Sequence, residues 1–150
     1  MDDSDKKLLR VLSRNGRMTQ SALATEVGMS RPSVIDRVRK LEDAGVIQGY
    51  VAHLDRKKLG KGICAFVALR YRGGTISEQE EASIRSLADD PDILECHKVA
   101  GEESAILKIA TASIESLEQI LTKIRDLDAV SSTNTMVVLS SYFEKPGVQI

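Results

Sequence analysis

The sequence has 150 residues, of which 42% are hydrophobic, and its formal net charge is −1. This length allows one good core or two small ones, and the hydrophobic content excludes a disordered chain. No apolar run is long enough to span a bilayer, and the first residues lack the basic and apolar regions of a signal peptide. We therefore expect a cytoplasmic protein with no membrane partner.

Charge is divided unevenly along the chain. Residues 1–62 carry 13 Lys and Arg against 8 Asp and Glu, whereas residues 63–150 carry 8 against 14. Attraction to nucleic-acid phosphate requires a positive surface, and only the first part supplies one. A nucleic-acid partner is therefore expected at the N-terminal part.

The N-terminal part has the pattern of three helices. Residues 4–14 predict the first helix, whose leucines and valine supply apolar surface for packing. Residues 19–45 predict two short helices joined by a tight turn at Gly28, which takes the left-handed conformation that ends a helix. Thr19 and Ser30 are good N-caps for these two helices. This spacing is the plan of a helix-turn-helix DNA-binding motif.

The second helix of this pair carries polar side chains that can reach phosphates and base edges. Its N-terminal half is expected to enter the major groove of double-stranded DNA. The candidate DNA-binding residues are Arg31, Ser33, Asp36, Arg37 and Lys40.

The chain changes character after these helices. Residues 46–54 look extended, and residues 55–62 form a charged segment that ends in glycine. We therefore predict a DNA-binding domain at 1–50, an extended linker at 51–62 and a second domain at 63–150.

The second domain alternates between strand and helix patterns, and the order strand, helix, strand occurs twice. Two such units in one small domain predict a ferredoxin-like, four-stranded antiparallel sheet with both helices on one face. The chain as a whole is then of the α+β class. The predicted elements are strand 63–72, helix 77–90, strand 93–99, strand 104–111, helix 113–127 and strand 133–143.

Two of these strands are apolar at almost every position, at 63–69 and 136–139. A strand that is apolar on both sides needs cover on both sides. Since no further helix is available, the simplest cover is the same face of a second chain, so we predict a homodimer made by stacking two sheets.

The sequence offers little for metal, redox or catalytic chemistry. Cys96 and His97 are adjacent in a strand pattern, so their side chains point to opposite faces and do not share an ion easily. Cys64 and Cys96 suit buried, reduced thiols, and the predicted sheet places another strand between them, too far apart for a disulfide. There is no phosphate-binding glycine loop and no nucleophile elbow. We therefore predict no metal site, no cofactor and no enzyme.

The stretch 37–50, together with Asp-Lys-Lys-Leu-Leu at 5–9 and the βαββαβ pattern, resembles the Lrp/AsnC family of transcriptional regulators. The resemblance implies an N-terminal helix-turn-helix domain, winged-helix-like, joined to a C-terminal ferredoxin-like βαββαβ sensing domain. It also implies homodimers that assemble further into octamers, and an amino-acid effector bound at contacts between dimers. Arg37 occupies a position at which the family is usually basic.

The family's effector loop usually reads Gly-Asp-Tyr-Asp, and the matching residues here are Gly101, Glu102, Glu103 and Ser104. Ser104 therefore stands where the family usually has a carboxylate. By position, residues near the start of the last strand complete the effector site from a neighbouring chain. These are Ser132, Thr133, Asn134 and Thr135.

Two other functions compete with an effector-controlled regulator. A DNA-coating architectural protein without an effector becomes more plausible because of Ser104. An amino-acid-binding enzyme of ferredoxin-like fold is the rival from another class, since such enzymes are common. Stabilisation by one of the twenty amino acids would favour the regulator over the DNA-coating protein.

Overall fold

The computed structural model describes residues 1–73, 76–145 and 147–148. The chain divides into a helical unit, Met1–His53 with Phe143–Ile150, and a sheet unit, Leu54–Tyr142. The units thus group residues 54–62 with the sheet and 143–148 with the helices. The bounds 1–50, 51–62 and 63–150 stay a prediction.

The helical unit contains α1 (Asp3–Arg14), α2 (Gln20–Val27) and α3 (Arg31–Asp43). Each helix begins at a side-chain cap: Asp2, Thr19 and Ser30 accept hydrogen bonds from backbone N–H groups inside their helices. At the start of α1, Asp2 and Asp5 each accept from the other's N–H at 2.8 Å, which is a capping box. The sequence predicted all three helices, and only the first bound of α1 differs, by one residue.

The core of the helical unit lies where the three helices meet. Leu8, Leu23 and Val34 are fully or almost fully buried there, one from each helix. Gly28 adopts φ +73° between α2 and α3, as the left-handed turn requires. Among the described residues of this unit there is no strand, so the extended segment predicted at 46–54 is irregular and forms no wing.

The sheet unit contains two βαβ sections in the order that the sequence predicted. Its four strands pair antiparallel in the order β2-β3-β1-β4, which is the ferredoxin-like arrangement. Both helices cover the same face of the sheet, where the unit's core lies. The elements are β1 (Ile63–Tyr71), α4 (Glu78–Arg85), β2 (Ile93–Lys98), β3 (Ala105–Thr111), α5 (Ile114–Arg125) and β4 (Val130–Val137).

Two elements differ from their predicted bounds. The helix predicted at 77–90 is α4 followed by a 3₁₀ turn, Ser86–Asp89, and the helical segment ends before Asp90 because Pro91 disfavours a helical conformation in that residue. The strand predicted at 133–143 is β4, which begins earlier and ends earlier. Its first residue, Val130, lies opposite Tyr71, and its last residue, Val137, lies opposite Ala65 near the start of β1.

Strand alternation separates the two faces of the sheet. Val67 and Leu69 on β1 point into the core with Leu107 and Ile109 on β3. On the other face, Phe66 is 37% exposed. We call this second surface, which neither α4 nor α5 covers, the open face. It comprises Cys64, Phe66, Ala68, Arg70, Glu95, His97, Ile106, Lys108, Ser132, Asn134 and Met136.

The prediction of two buried thiols is wrong for one of them. Cys64 is buried on β1, whereas Cys96 is exposed on β2, one of the two edge strands of the sheet. An edge strand has a neighbour on one side only, so an apolar pattern there does not guarantee burial. Strand β3 lies between β1 and β2, as predicted, and both cysteines are free.

Candidate DNA-binding and effector sites

Helix α3 has one buried and one exposed face. Val34, Val38 and Leu41 are buried, and they hold the helix against the rest of the unit. Ser30 caps the helix by accepting a hydrogen bond from the Ser33 N–H at 3.4 Å, and the residues of the first turn, 31–33, are exposed. Arg31 and Ser33 are exposed before the first buried residue, and Asp36, Arg39 and Lys40 are exposed between the buried ones.

Arg37 is held by two carboxylates of the same unit. Its Nη1 donates to Asp2 Oδ2 at 2.8 Å and to Asp5 Oδ1 at 2.7 Å, and the side chain is 32% exposed. The capping N–H of Asp5 and then Arg37 lower the pKa of Asp2, while Asp5 and Asp2 raise that of Arg37. Arg37 therefore ties the first turn of α1 to the middle of α3. We call this contact the Arg37 clamp.

The other cations of α3 are held less firmly. Lys40 pairs with Asp36 at 2.7 Å, and Arg39 approaches Asp43 at 3.7 Å, both across one helical turn and in exposed positions. Such pairs exchange readily with solvent. Arg31 forms no ion pair with any described residue, so its guanidinium is available at the start of the helix.

In the sheet unit, the loop between β2 and β3 contains the predicted effector residues. Gly101 adopts φ +144°, which side chains rarely allow, and this explains the glycine at this point of the turn. Ser104 is occupied by the sheet: its N–H donates to the Leu69 carbonyl at 2.7 Å, and its Oγ accepts from the Tyr71 N–H at 3.1 Å. Ser104 thus extends the pairing of β1 with β3.

Arg70 is the residue of this region that the sequence reasoning missed. Its Nε lies 3.3 Å from Glu103 Oε2, and its Nη2 lies 3.3 Å from Glu102 Oε2. The Arg70 side chain is 50% exposed, Glu102 90% and Glu103 29%. A single arginine inside the apolar run of β1 was the signal that could have revealed it. We call this contact the Arg70 cluster.

The candidate residues on β4 do not all face the Arg70 cluster. Ser132 pairs with Arg70 and Asn134 with Ala68, so these two lie on the open face beside the cluster. Thr133 and Thr135 pair with core residues of β1 and lie on the opposite face. The structure therefore brings Asn134 and Ser132 near Arg70 and separates them from the two threonines.

The described part of the chain lacks both a metal-binding cluster and a membrane-spanning helix. No group of three or more His, Cys, Asp or Glu side chains there is arranged to hold a metal ion. None of the described helices has the length and apolar character needed to cross a membrane.

Comparisons with known proteins identify the family. A family model of winged helix-turn-helix DNA-binding domains matches residues 1–48, and a model of the Lrp/AsnC ligand binding domain matches residues 64–148. The chain belongs to the Lrp/AsnC family. It is accordingly a helix-turn-helix transcriptional regulator in which a DNA-binding domain precedes a ligand-binding domain.

Relatives of this family match the chain along almost its whole length. The transcriptional regulator LrpA of Mycobacterium tuberculosis is 37% identical over 97% of this chain and 95% of that protein. YezC of Bacillus subtilis is 39% identical over 94% of this chain and 95% of that protein. Both are HTH-type transcriptional regulators by name.

Solved structures agree on the fold. The leucine response regulatory protein LrpA of Mycobacterium tuberculosis superposes with a TM-score of 0.84 at 33% identity, covering 100% of both chains. A transcriptional regulator of Neisseria meningitidis, solved as a complex with L-Met, superposes with a TM-score of 0.90 at 24% identity, covering 99% of this chain and 96% of that one. The resemblance to the Lrp/AsnC family and the α+β fold class are thereby confirmed.

Proposed function

We propose that this regulator binds double-stranded DNA as a homodimer and inserts α3 of each chain into the major groove. The observation that carries the proposal is the division of α3 into a packed face and an exposed face rich in cations. The N-terminal half of such a helix reaches base edges. The dimer places two copies on successive grooves, so the preferred site has approximate two-fold symmetry.

The candidate contacts on α3 fall into two groups. Arg31 and Ser33 lie exposed at the start of the helix, and we propose that they read bases or the adjacent phosphates. Lys40 and Asp36 form an exposed pair that DNA can open, freeing Lys40 for phosphate. Arg37, held in its clamp, serves first to position α3 and contributes positive charge to the surface.

We propose that the open face forms the dimer contact, with octamers built from four such dimers. Phe66 and Met136 are 37% and 48% exposed there, beside the small Ala68. An apolar centre with charged edges, formed by Arg70 and by Glu95 with Lys108, is suited to a second copy of the same surface. Met136→Glu should then give a monomer on size-exclusion chromatography at micromolar concentration.

We propose an amino acid as the effector, acting at contacts between dimers that meet at the Arg70 edge of the open face. The Arg70 cluster offers both charges that a zwitterion needs: a guanidinium for the α-carboxylate, and Glu102 or Glu103 for the α-ammonium. Asn134 and Ser132 stand beside it as neutral hydrogen-bonding groups. L-Met in the Neisseria structure and the name of the leucine response regulatory protein support this class of ligand.

The effector acts by favouring one assembly or one spacing of the two α3 helices, which requires different affinities for the alternative states. We further propose that the chain has no catalytic activity and works in the cytoplasm. A DNA-coating role without an effector is the second candidate, because Ser104 and both loop glutamates already have partners within the chain.

Selection of sequences from a random duplex pool tests the regulator directly. We expect enrichment of a two-fold-symmetric site, and thermal unfolding should show stabilisation by at least one of the twenty amino acids. Binding to every duplex with equal affinity, with no amino acid stabilising the protein, would favour the DNA-coating role instead.

A further inference from the structure

A cavity of about 430 Å³ opens in the sheet unit between α4 and the edge strand β2. It lies on the helix-covered side of the sheet and shares no lining residue with the effector loop or with residues 132–135. Its volume is within the range of small-molecule sites, about 300 to 1,000 Å³. The apolar lining consists of Ile76, Ile84, Ala88, Ile93 and Leu94.

Tyr71 brings a hydrogen-bond donor to this cavity. The residue is only 8% exposed, and no described residue hydrogen-bonds its hydroxyl. Every fully buried side-chain oxygen or nitrogen in the described part of the chain has a partner, so the Tyr71 hydroxyl must retain access to open space. Since Tyr71 lines the cavity, we infer that its hydroxyl opens into it. A phenol buried this deeply normally has a partner.

The charged groups around the cavity leave one positive charge unbalanced. Glu81 pairs with Arg85 at 2.6 Å, and Glu95 lies 3.5 Å from Lys108 and 3.4 Å from His97. Lys98 also lines the cavity, and none of the described residues pairs with it.

Burial, with Cys96 and Glu81 nearby, raises the pKa of Tyr71, so its hydroxyl stays protonated and donates. The lining therefore combines an apolar wall, one neutral donor and one free cation.

We propose that this cavity binds a small carboxylic acid with an apolar body, a ligand distinct from the effector of the Arg70 cluster. The carboxylate is bound by the Lys98 ammonium and the Tyr71 hydroxyl, and the hydrocarbon packs against Ile84 and Ile93. An α-ammonium group finds no free carboxylate here, because Glu81 and Glu95 are both paired. The site therefore prefers an unsubstituted acid to the amino acid of the same chain length.

Calorimetric titration of the full-length protein with hexanoate, hexanamide and L-norleucine tests the chemistry. Hexanoate should bind the wild type, and the other two should bind at least tenfold more weakly at this site. Tyr71→Phe should weaken hexanoate about two- to tenfold, the range for one lost hydrogen bond, and Lys98→Gln about tenfold or more. Lys58→Gln, an exposed lysine outside the cavity, should change nothing.

Cys96 supplies an independent measurement because it lines the cavity, while Cys64 is buried. Hexanoate should slow alkylation of Cys96 by iodoacetamide in the wild type. In Tyr71→Phe, the same degree of protection should require a higher hexanoate concentration. A Cys96 that does not react in the native protein would show the cavity to be covered and would overturn the proposal. So would hexanoate binding that survives Lys98→Gln unchanged, or no binding at all.

Discussion

Two arginines of this chain each contact two carboxylates, one in the helical unit and one in the sheet unit. In the Arg37 clamp the nitrogen to oxygen distances are 2.7 and 2.8 Å, and the arginine is 32% exposed. In the Arg70 cluster the corresponding distances are 3.3 Å, and the arginine is 50% exposed. An arginine and two carboxylates are therefore held together tightly in the helical unit and loosely in the sheet unit.

The origin of the difference is the structure that carries the carboxylates. Asp2 and Asp5 belong to a capping box, whose backbone hydrogen bonds hold both side chains independently of Arg37. Glu102 and Glu103 belong to a loop, and no backbone N–H among the described residues fixes their carboxylates. A pre-ordered contact suits a structural role, whereas a loose one can exchange its carboxylates for those of a ligand.

The largest expected effect follows from that exchange. Arg70→Gln removes the cation proposed to bind the effector's carboxylate, so the affinity for L-methionine, L-leucine or whichever amino acid binds the wild type should fall about 10- to 100-fold. Isothermal titration measures the loss. The melting temperature of the unliganded protein should fall only slightly, because Arg70 is half exposed and its ion pairs contribute little to stability.

Arg72→Gln is the matched control. Arg72 lies just beyond the end of β1, and its Nε donates to the Asp128 carbonyl instead of to the loop carboxylates. Its effector affinity should equal that of the wild type. If Arg70→Gln binds the amino acid with the affinity of the wild type, the amino-acid effector still stands, but Arg70 is not part of the effector site.

The next largest effect concerns the Arg37 clamp and DNA. Arg37→Ala leaves Asp2 and Asp5 unpaired beside the DNA-binding surface, so both the melting temperature and the affinity for the selected duplex should fall, the latter about tenfold. Adding Asp2→Asn and Asp5→Asn should restore most of that affinity. Fluorescence anisotropy at fixed salt concentration measures both steps.

This rescue separates two roles of Arg37. If Arg37 reads a base, the triple variant stays as weak as Arg37→Ala. Arg39→Ala removes the same charge from the same helix without breaking a clamp, and it should weaken binding without lowering the melting temperature.

The two arginine contacts also show which features of the structure can be predicted from the sequence. The caps at Thr19 and Ser30 and the left-handed Gly28 are local signals, so the helices and their turn were predictable within one residue. The partners of Arg37 and Arg70 were not, because they lie 32 to 35 positions away in the chain. Contacts of that kind depend on tertiary packing and leave no periodic pattern.

The pairing of the last strand and the contacts of the effector residues likewise depend on tertiary packing. Ser132 falls outside the strand predicted at 133–143 but pairs with Arg70 of β1, and Ser131 lies at the register shift beside it, because an edge strand accepts polar side chains. Ser104 was predictable as a departure from the family pattern. Its hydrogen bond to the Tyr71 N–H depends on the register of β1 against β3, which the sequence alone does not specify.

Acid should weaken the Arg37 clamp. The pKa of Asp2 is lowered below 3.8 in the folded protein. A depressed carboxyl pKa contributes stability that is complete above the unfolded value and is lost as the pH falls through the folded value. The helical unit should therefore lose stability below about pH 4, and Asp2→Asn should flatten this dependence. Carboxyl carbon NMR shifts report the Asp2 titration directly, and a midpoint at or above 3.8 would contradict the clamp.

The smallest effect is expected at the most exposed member of the Arg70 cluster. Glu102 is 90% exposed and has one contact with Arg70, whereas Glu103 is 29% exposed and has two. Glu102→Gln should therefore change the free energy of unfolding by about 0.5 kcal/mol or less, as exposed ion pairs do. Glu103→Gln should cost more, because its carboxylate holds the guanidinium from the less exposed side. Urea unfolding of both variants measures the difference, and equal costs would mean that the loop does not order its two carboxylates around Arg70 in solution.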